Sequence, residues 1–239
     1  MQRRGITVAK LAVFTSLVAV ATMALSVYVP ATRGYFNLGE TMIYFTALAA
    51  GPGIAAFAGG VGSMLADLTL GYYYYAPATL LIKAAEGALV GYLVRKVPRK
   101  GGWRLAIASY ALVVGYFVLI LLIGAMLFVG EVEVTLLPVG ESARSLIFTV
   151  APHSWIALAA AAVATPVYFA AKEKGPEGWL ILSLLLGGLV MVSGYFVYEQ
   201  FFLGVAALVE VPVNLGQSII GTAVAIPLYR AFRKLYRPA

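Results

Sequence analysis

The chain has no cysteine, which excludes disulfides, zinc-thiolate sites and a cysteine nucleophile and says nothing about redox compartment. Charge is scarce as well: 11% of residues are Asp, Glu, Lys or Arg, where a soluble domain carries about 25%. At 62% hydrophobic residues and a mean hydropathy of +0.92, too little polar surface remains to coat a globule. Catalytic signatures are missing too. No HExxH or GxSxG pattern occurs, and the single histidine, His153, has no second histidine with which to hold a metal. It reads as a structural or interfacial residue. No P-loop pattern occurs either, so uphill movement of a solute would draw its energy from a partner or an ion gradient. These absences describe a protein that is not an enzyme and needs no cofactor.

What is present is length of apolar sequence. The apolar residues fall into runs of roughly 18 to 27, enough to cross a hydrocarbon core of about 30 Å at 1.5 Å per helical residue. Barrel strands would alternate polar and apolar residues, and runs such as Leu180 to Val192 do not. The expected fold is an all-α polytopic membrane protein. Spans are expected at 6–29, 39–51, 54–71, 77–95, 103–129, 145–171, 179–203 and 206–229, about eight in all. The first run is longer than a signal-peptide core and is read as a retained span. Gly51-Pro52-Gly53 separates the second span from the third.

The net charge of +7 follows topology and calls for no nucleic acid. With an even number of crossings and the N-terminus in the cytoplasm, all of the 17 Lys and Arg residues except Arg33, Lys83 and Arg144 fall on the cytoplasmic side. The expected location is the cell membrane, multi-pass, with both termini cytoplasmic. No linker divides the chain, so 1–239 is read as a single transmembrane domain. The loop 130–142, with Glu131, Glu133 and Glu141, is read as a solvated outer connection.

Ionisable groups at membrane depth are expensive and are functional candidates by default. Asp67, Lys83, Glu86 and Glu199 all fall in the outer halves of their spans. The last span adds Glu210, Asn214 and Gln217 near its outer end, and Asn214 and Gln217 share a face at i, i+3. The first outer loop contributes Asn37 and Glu40, the next Tyr72 to Tyr75, and Tyr195 and Tyr198 flank Glu199. Asn37, Glu40, Asp67, Tyr74, Tyr75, Lys83, Glu86, Tyr195, Tyr198, Glu199, Asn214 and Gln217 together outline an outward polar and aromatic cup. Tyrosines can stack on a flat ring, and a few convergent polar groups can orient it. Each group also has a plainer reading: Lys83 with Glu86 as a neutralising pair, Asp67 as a local cap, the tyrosines as an interfacial belt, Asn214 and Gln217 as interhelical glue. Their shared depth favours the cup. Gly59, Gly60, Gly62 and Ser63 in the third span, and Ala12, Ser16 and Ala19 on one face of the first, read as small residues that allow close helix approach.

Asn37-Leu38-Gly39-Glu40, Gly51-Pro52-Gly53, the stretch Gly59 to Leu93 and the stretch Gly194 to Leu228 resemble the substrate-binding S components of energy-coupling-factor (ECF) vitamin importers, and those for riboflavin in particular. The likeness covers the first four and last two spans. It implies a six-helix core, 1–100 and 178–239, with an inserted helix pair at 103–171. It also implies a small vitamin-like solute taken from outside, a lid from the first outer loop, and transport after docking on a transmembrane T component with two ATPases. In such proteins the first helix docks through small residues, here Ala12, Ser16 and Ala19. A stand-alone ion-coupled secondary transporter, with Asp67, Glu86 or Glu199 carrying protons, is the alternative.

Overall fold

The computed structural model of the chain describes residues 2–29, 34–96, 130–136, 144–151 and 176–235, with isolated positions between. Among them are six long helices: α1 (Gln2–Ala24), α2 (Gly39–Ala50), α3 (Pro52–Leu70), α4 (Ala76–Leu93), α5 (Pro176–Gln200) and α6 (Glu210–Leu235). A 3-10 turn extends α4 over Val94–Lys96, and another, Gly204–Val209, leads into α6. All of these but α2 are long and apolar enough to cross a membrane. The protein is a multi-pass membrane protein. Nearly all of the expected spans 103–129 and 145–171, and with them most of the inserted pair, lies outside the described residues.

Local chemistry sets the helix ends. Gly51 takes φ 92°, its N–H bonds the Ala47 and Thr46 carbonyls to close α2, and Pro52 opens α3 at a position where the missing N–H costs nothing. Gly71, at φ 86°, ends α3 with its N–H on the Asp67 carbonyl. The short helix α2 is the centre of the bundle, packed against α1, α3, α4 and α6. Its 12 residues reach only about 18 Å at 1.5 Å each, but Ile43, Tyr44 and Ala47 are fully buried among the other helices. It is therefore solvated by protein and meets little lipid.

Among the described helices, α3 and α4 make the most extensive contact. A Cβ at Gly60 would stand 2.6 Å from the Leu80 carbonyl oxygen, and one at Gly59 would stand 2.8 Å from that of Lys83. From the other side, Gly87 and Gly91 face the backbones of Ala55 and Pro52. Glycine on both helices is what lets them approach this closely. Around the bundle, Val13, Val20, Phe57, Leu65, Leu81, Val197 and Val224 point outward, as lipid-facing side chains do.

Four strands were not expected. The first span stops as a helix at Ala24, about 34 Å long at 1.5 Å per residue, and continues as β1 (Leu25–Val29). β1 pairs antiparallel with β2 (Gly34–Asn37) on one side and with β3 (Gly130–Leu136) on the other, and β3 pairs with β4 (Arg144–Val150). Val27, Tyr28 and Val29 suit a strand, and two partners supply the hydrogen bonds that a helix would have made internally. β3 turns part of the expected solvated loop 130–142 into sheet, and β4 replaces the start of the expected span 145–171. Open sheet edges are not tolerated in hydrocarbon, so the sheet belongs to the polar boundary at one end of the bundle.

Candidate functional site

Beneath this sheet the helices open into a cavity of about 450 Å³, counting the space at its mouth. Its floor and walls come from Thr22 of α1, Ser63 and Asp67 of α3, Thr79 and Lys83 of α4, Tyr195 and Glu199 of α5, and Glu210, Asn214 and Gln217 of α6. Gly34, Tyr35 and Asn37 of β2 cover it, and Tyr75 closes it from the α3–α4 turn. Every long helix except α2 contributes lining, and α2 contributes from behind.

Lys83 is the hub of the floor. Its ammonium is ion-paired with Glu40 of α2 and with Glu86 of its own helix, the latter at 3.3 Å, and all three side chains are buried. It also lies 2.6 Å from Met191 Sδ and 5.5 Å from the centroid of the Tyr195 ring. Glu86 accepts from Tyr44 OH at 3.0 Å, which in turn meets Ser218 Oγ at 3.1 Å. A buried ion pair is no gain in stability unless its remaining lone pairs are satisfied; here Glu86 is satisfied by Lys83 and Tyr44, whereas Glu40 Oε2 has no hydrogen-bond partner. The sequence placed Lys83 with Glu86 alone and put Glu40 in a loop; Glu40 instead sits in the first turn of α2 and closes the triad.

Two further carboxylates are held by tyrosines. Tyr35 OH donates to Asp67 Oδ1 at 2.7 Å, and Tyr75 OH donates to Glu199 Oε1 at 3.0 Å. Burial first, and the Asp67 carboxylate second, push the Tyr35 phenol well above its ordinary value, so it remains a donor. Burial likewise raises Tyr72, stacked on Tyr35 at 4.5 Å, to about 12. Opposite them, Thr79 Oγ1 and Tyr195 OH lie 2.9 Å apart. The lid is tied to α6 by the Gln217 carboxamide: its Oε1 accepts from the Asn37 backbone N–H at 2.6 Å, while its Nε2 donates to Asn214 Oδ1 at 3.0 Å. Asn37 Oδ1 accepts from the Gly39 N–H at 2.8 Å and shapes the turn from β2 into α2.

Of the residues singled out from the sequence, Asn37, Asp67, Tyr75, Lys83, Tyr195, Glu199, Asn214 and Gln217 line the cavity, and Glu40 and Glu86 stand behind Lys83. Tyr74 and Tyr198 do not line it. Tyr198 OH donates to the Tyr74 carbonyl, and both rings pack on Phe202 in an aromatic cluster at the outside of the bundle, the position of an interfacial belt. Tyr35, Thr22, Ser63 and Thr79 are additions that hydropathy could not supply. Glu210 met the depth criterion and belongs with the set. Ala12 and Ser16 are exposed on α1, whereas Ala19 is buried, and Thr15 and Val18 meet Gly62 of α3. His153 is exposed.

A relative from Pyrococcus woesei, described as an uncharacterized protein in a gap 3′ region, is 41% identical over 101 residues, which are 41% of this chain and 68% of that one. A family model described as the ECF-type riboflavin transporter, S component, matches residues 5–168. The match takes in α1 to α4 and all four strands; α5 and α6, which carry the other wall of the cavity, lie beyond it. The chain belongs to the family of S components of ECF-type riboflavin transporters.

Proposed function

We propose that the cavity under the sheet captures a small, flat, vitamin-like solute of the riboflavin kind from the extracellular side. The chain then passes it inward as the substrate-binding subunit of a complex with a T component and two ATPases. The observation that carries this reading is the cavity itself: polar groups from five helices converge under a strand lid, with Tyr35, Tyr75 and Tyr195 around them. Convergent polar groups set among aromatic rings are what orients a small ligand in such a pocket. Asn37, Asp67, Tyr75, Lys83, Tyr195, Glu199, Asn214 and Gln217 are its contacts, and Glu40 and Glu86 fix Lys83.

Orientation rests on charge. Arg95 and Lys96 at the end of α4, and Arg230, Arg233 and Lys234 near the end of α6, lie at the opposite end of the bundle from the sheet. Basic ends face the cytoplasm, so both termini are cytoplasmic and the lid faces out. Docking on the T component uses the exposed side of α1 around Ala12 and Ser16; Ala19 serves internal packing.

The test is reconstitution. Purified full-length chain binds riboflavin or a related ring in a titration, and liposome uptake requires added T component and ATPases. Uptake driven by an ion gradient without those partners would overturn the reading in favour of a secondary transporter.

A further inference from the structure

A backbone N–H can only donate, and one of them reaches the cavity wall from the lid. The Asn37 N–H, at the end of the covering strand β2, donates to Gln217 Oε1 on α6 at 2.6 Å. Asn37 Oδ1 accepts from the Gly39 N–H at the first residue of α2, which fixes the turn that carries this donor. A carboxamide whose oxygen faces a donor turns its nitrogen the other way. There Gln217 Nε2 meets Asn214 Oδ1 at 3.0 Å, three residues earlier on the same face of α6. The oxygen of Asn214 is thereby engaged, and the group it offers to the cavity it lines is its N–H2. Both carboxamides are buried, where one held the wrong way round would set acceptor against acceptor, or donor against donor, away from water. A single N–H of the lid thus fixes the polarity of two side chains, and the solute meets a donor at Asn214. With β2 lifted away that fixed donor is gone, and the two carboxamides can turn over together.

We infer that Gln217 is a positioning residue that links solute binding to closure of β2. With the lid down it aims the Asn214 N–H2 at an acceptor on the solute, such as a ring carbonyl, and an acceptor in that place holds the relay in the sense that the lid requires. The coupling is reciprocal, as linkage between two binding events must be. This rests on the vitamin-cavity reading above and states what the solute presents to α6.

Full-length chain in nanodiscs is titrated with riboflavin, whose ring carries carbonyl acceptors, in four forms: unaltered, Asn214→Ala, Gln217→Met and the double variant. Gln217→Met should weaken binding about tenfold in the unaltered background and about threefold or less where Asn214 is already alanine, since only the tie to the lid then remains to be lost. Equal losses in the two backgrounds overturn the inference and leave the cavity reading standing, because Gln217 would then touch the solute or pack independently of Asn214. Hydrogen exchange of the segment 34–38 is the second measurement. Riboflavin should slow exchange of the Asn37 amide in the unaltered chain about tenfold. An unchanged rate overturns the coupling to the lid, and because it needs no variant it decides even if Gln217→Met fails to fold. Failure of the unaltered chain to bind riboflavin overturns the inference and the cavity reading together.

Discussion

The two ends of the helix bundle are built by opposite rules. Toward the end with Arg95 and Lys96, α3 and α4 meet backbone to backbone through Gly87 and Gly91, and the buried side chains are apolar or small. Toward the sheet Gly59 and Gly60 still hold α3 against the Lys83 and Leu80 carbonyls, but the buried side chains now include Asp67, Thr79 and Lys83, and burial is shared among carboxylates, hydroxyls and one ammonium. Glycine packing from the basic end up to the level of Lys83 fixes the relative position of α3 and α4 without using any polar side chain. That fixed geometry supports a cavity whose polar groups are costly to bury. Stability and recognition are thus separated along the helix axis, and substitutions at the two ends should differ in kind.

The largest effect is expected at the hub. Lys83→Met leaves Glu40 and Glu86 buried without their cation, a change worth about 3–5 kcal/mol, and should abolish both a cooperative melt and ligand binding. Adding Glu40→Gln and Glu86→Gln removes the stranded charges. The triple variant should regain much of the melting temperature and none of the affinity. Recovery of binding in the triple variant would break the comparison, because the ammonium would then be a structural device only.

Next is Gly60→Leu. The obstacle to its side chain is the Leu80 carbonyl, 2.6 Å from the first carbon added, so α3 and α4 must move apart at a cost of about 1–3 kcal/mol. The melting temperature should fall, and the fraction that remains folded should bind ligand with nearly unchanged affinity. A smaller loss is expected from Asn214→Ala, which removes one cavity-lining amide and the acceptor for Gln217 Nε2. Leaving ligand atoms unpaired costs about 1–3 kcal/mol, so affinity should fall about tenfold while the melt moves little. Unchanged affinity would return Asn214 to the role of interhelical glue.

The same division explains what could be read from the sequence. Hydropathy found the spans of the described helices, since lipid solvation leaves a signal in every residue. Glycine clusters announced close packing, and ionisable residues at one depth announced Asp67, Lys83, Glu86 and Glu199, because such groups are too costly to occur there by chance. What failed was local geometry. Leu25–Val29 is apolar like the helix before it, and an apolar run does not distinguish strand from helix; its pairing with β3, more than a hundred residues away, is invisible in composition. Tyr72 to Tyr75 are identical in type, yet Tyr75 is 6% exposed and Tyr73 is 67%. Only the turn after Gly71 decides which ring enters the cavity. Tyr35 was missed for the same reason: nothing in the loop says that it reaches Asp67 on α3.

The smallest predicted change sharpens the comparison most. Trp179, in the first turns of α5, donates its indole N–H to the Leu93 carbonyl at 2.8 Å, where α4 ends. The bond ties α4 to α5 at the basic end, as far from the lid as α5 allows. Trp179→Phe keeps an aromatic ring and deletes the donor, leaving the carbonyl to find another partner near the polar boundary. A single neutral hydrogen bond is worth about 0.5–1.5 kcal/mol, which for a chain of this length corresponds to a shift of about 2–4 °C per kcal/mol. The melting temperature should drop by that small amount and ligand affinity should not change. Both are read on one nanodisc sample, by a thermal scan and a titration. A fall in affinity matching the fall in stability would mean that α5 transmits strain from its first turn to Tyr195 and Glu199. The two ends would then be one coupled unit, and the separation of packing from recognition would fail.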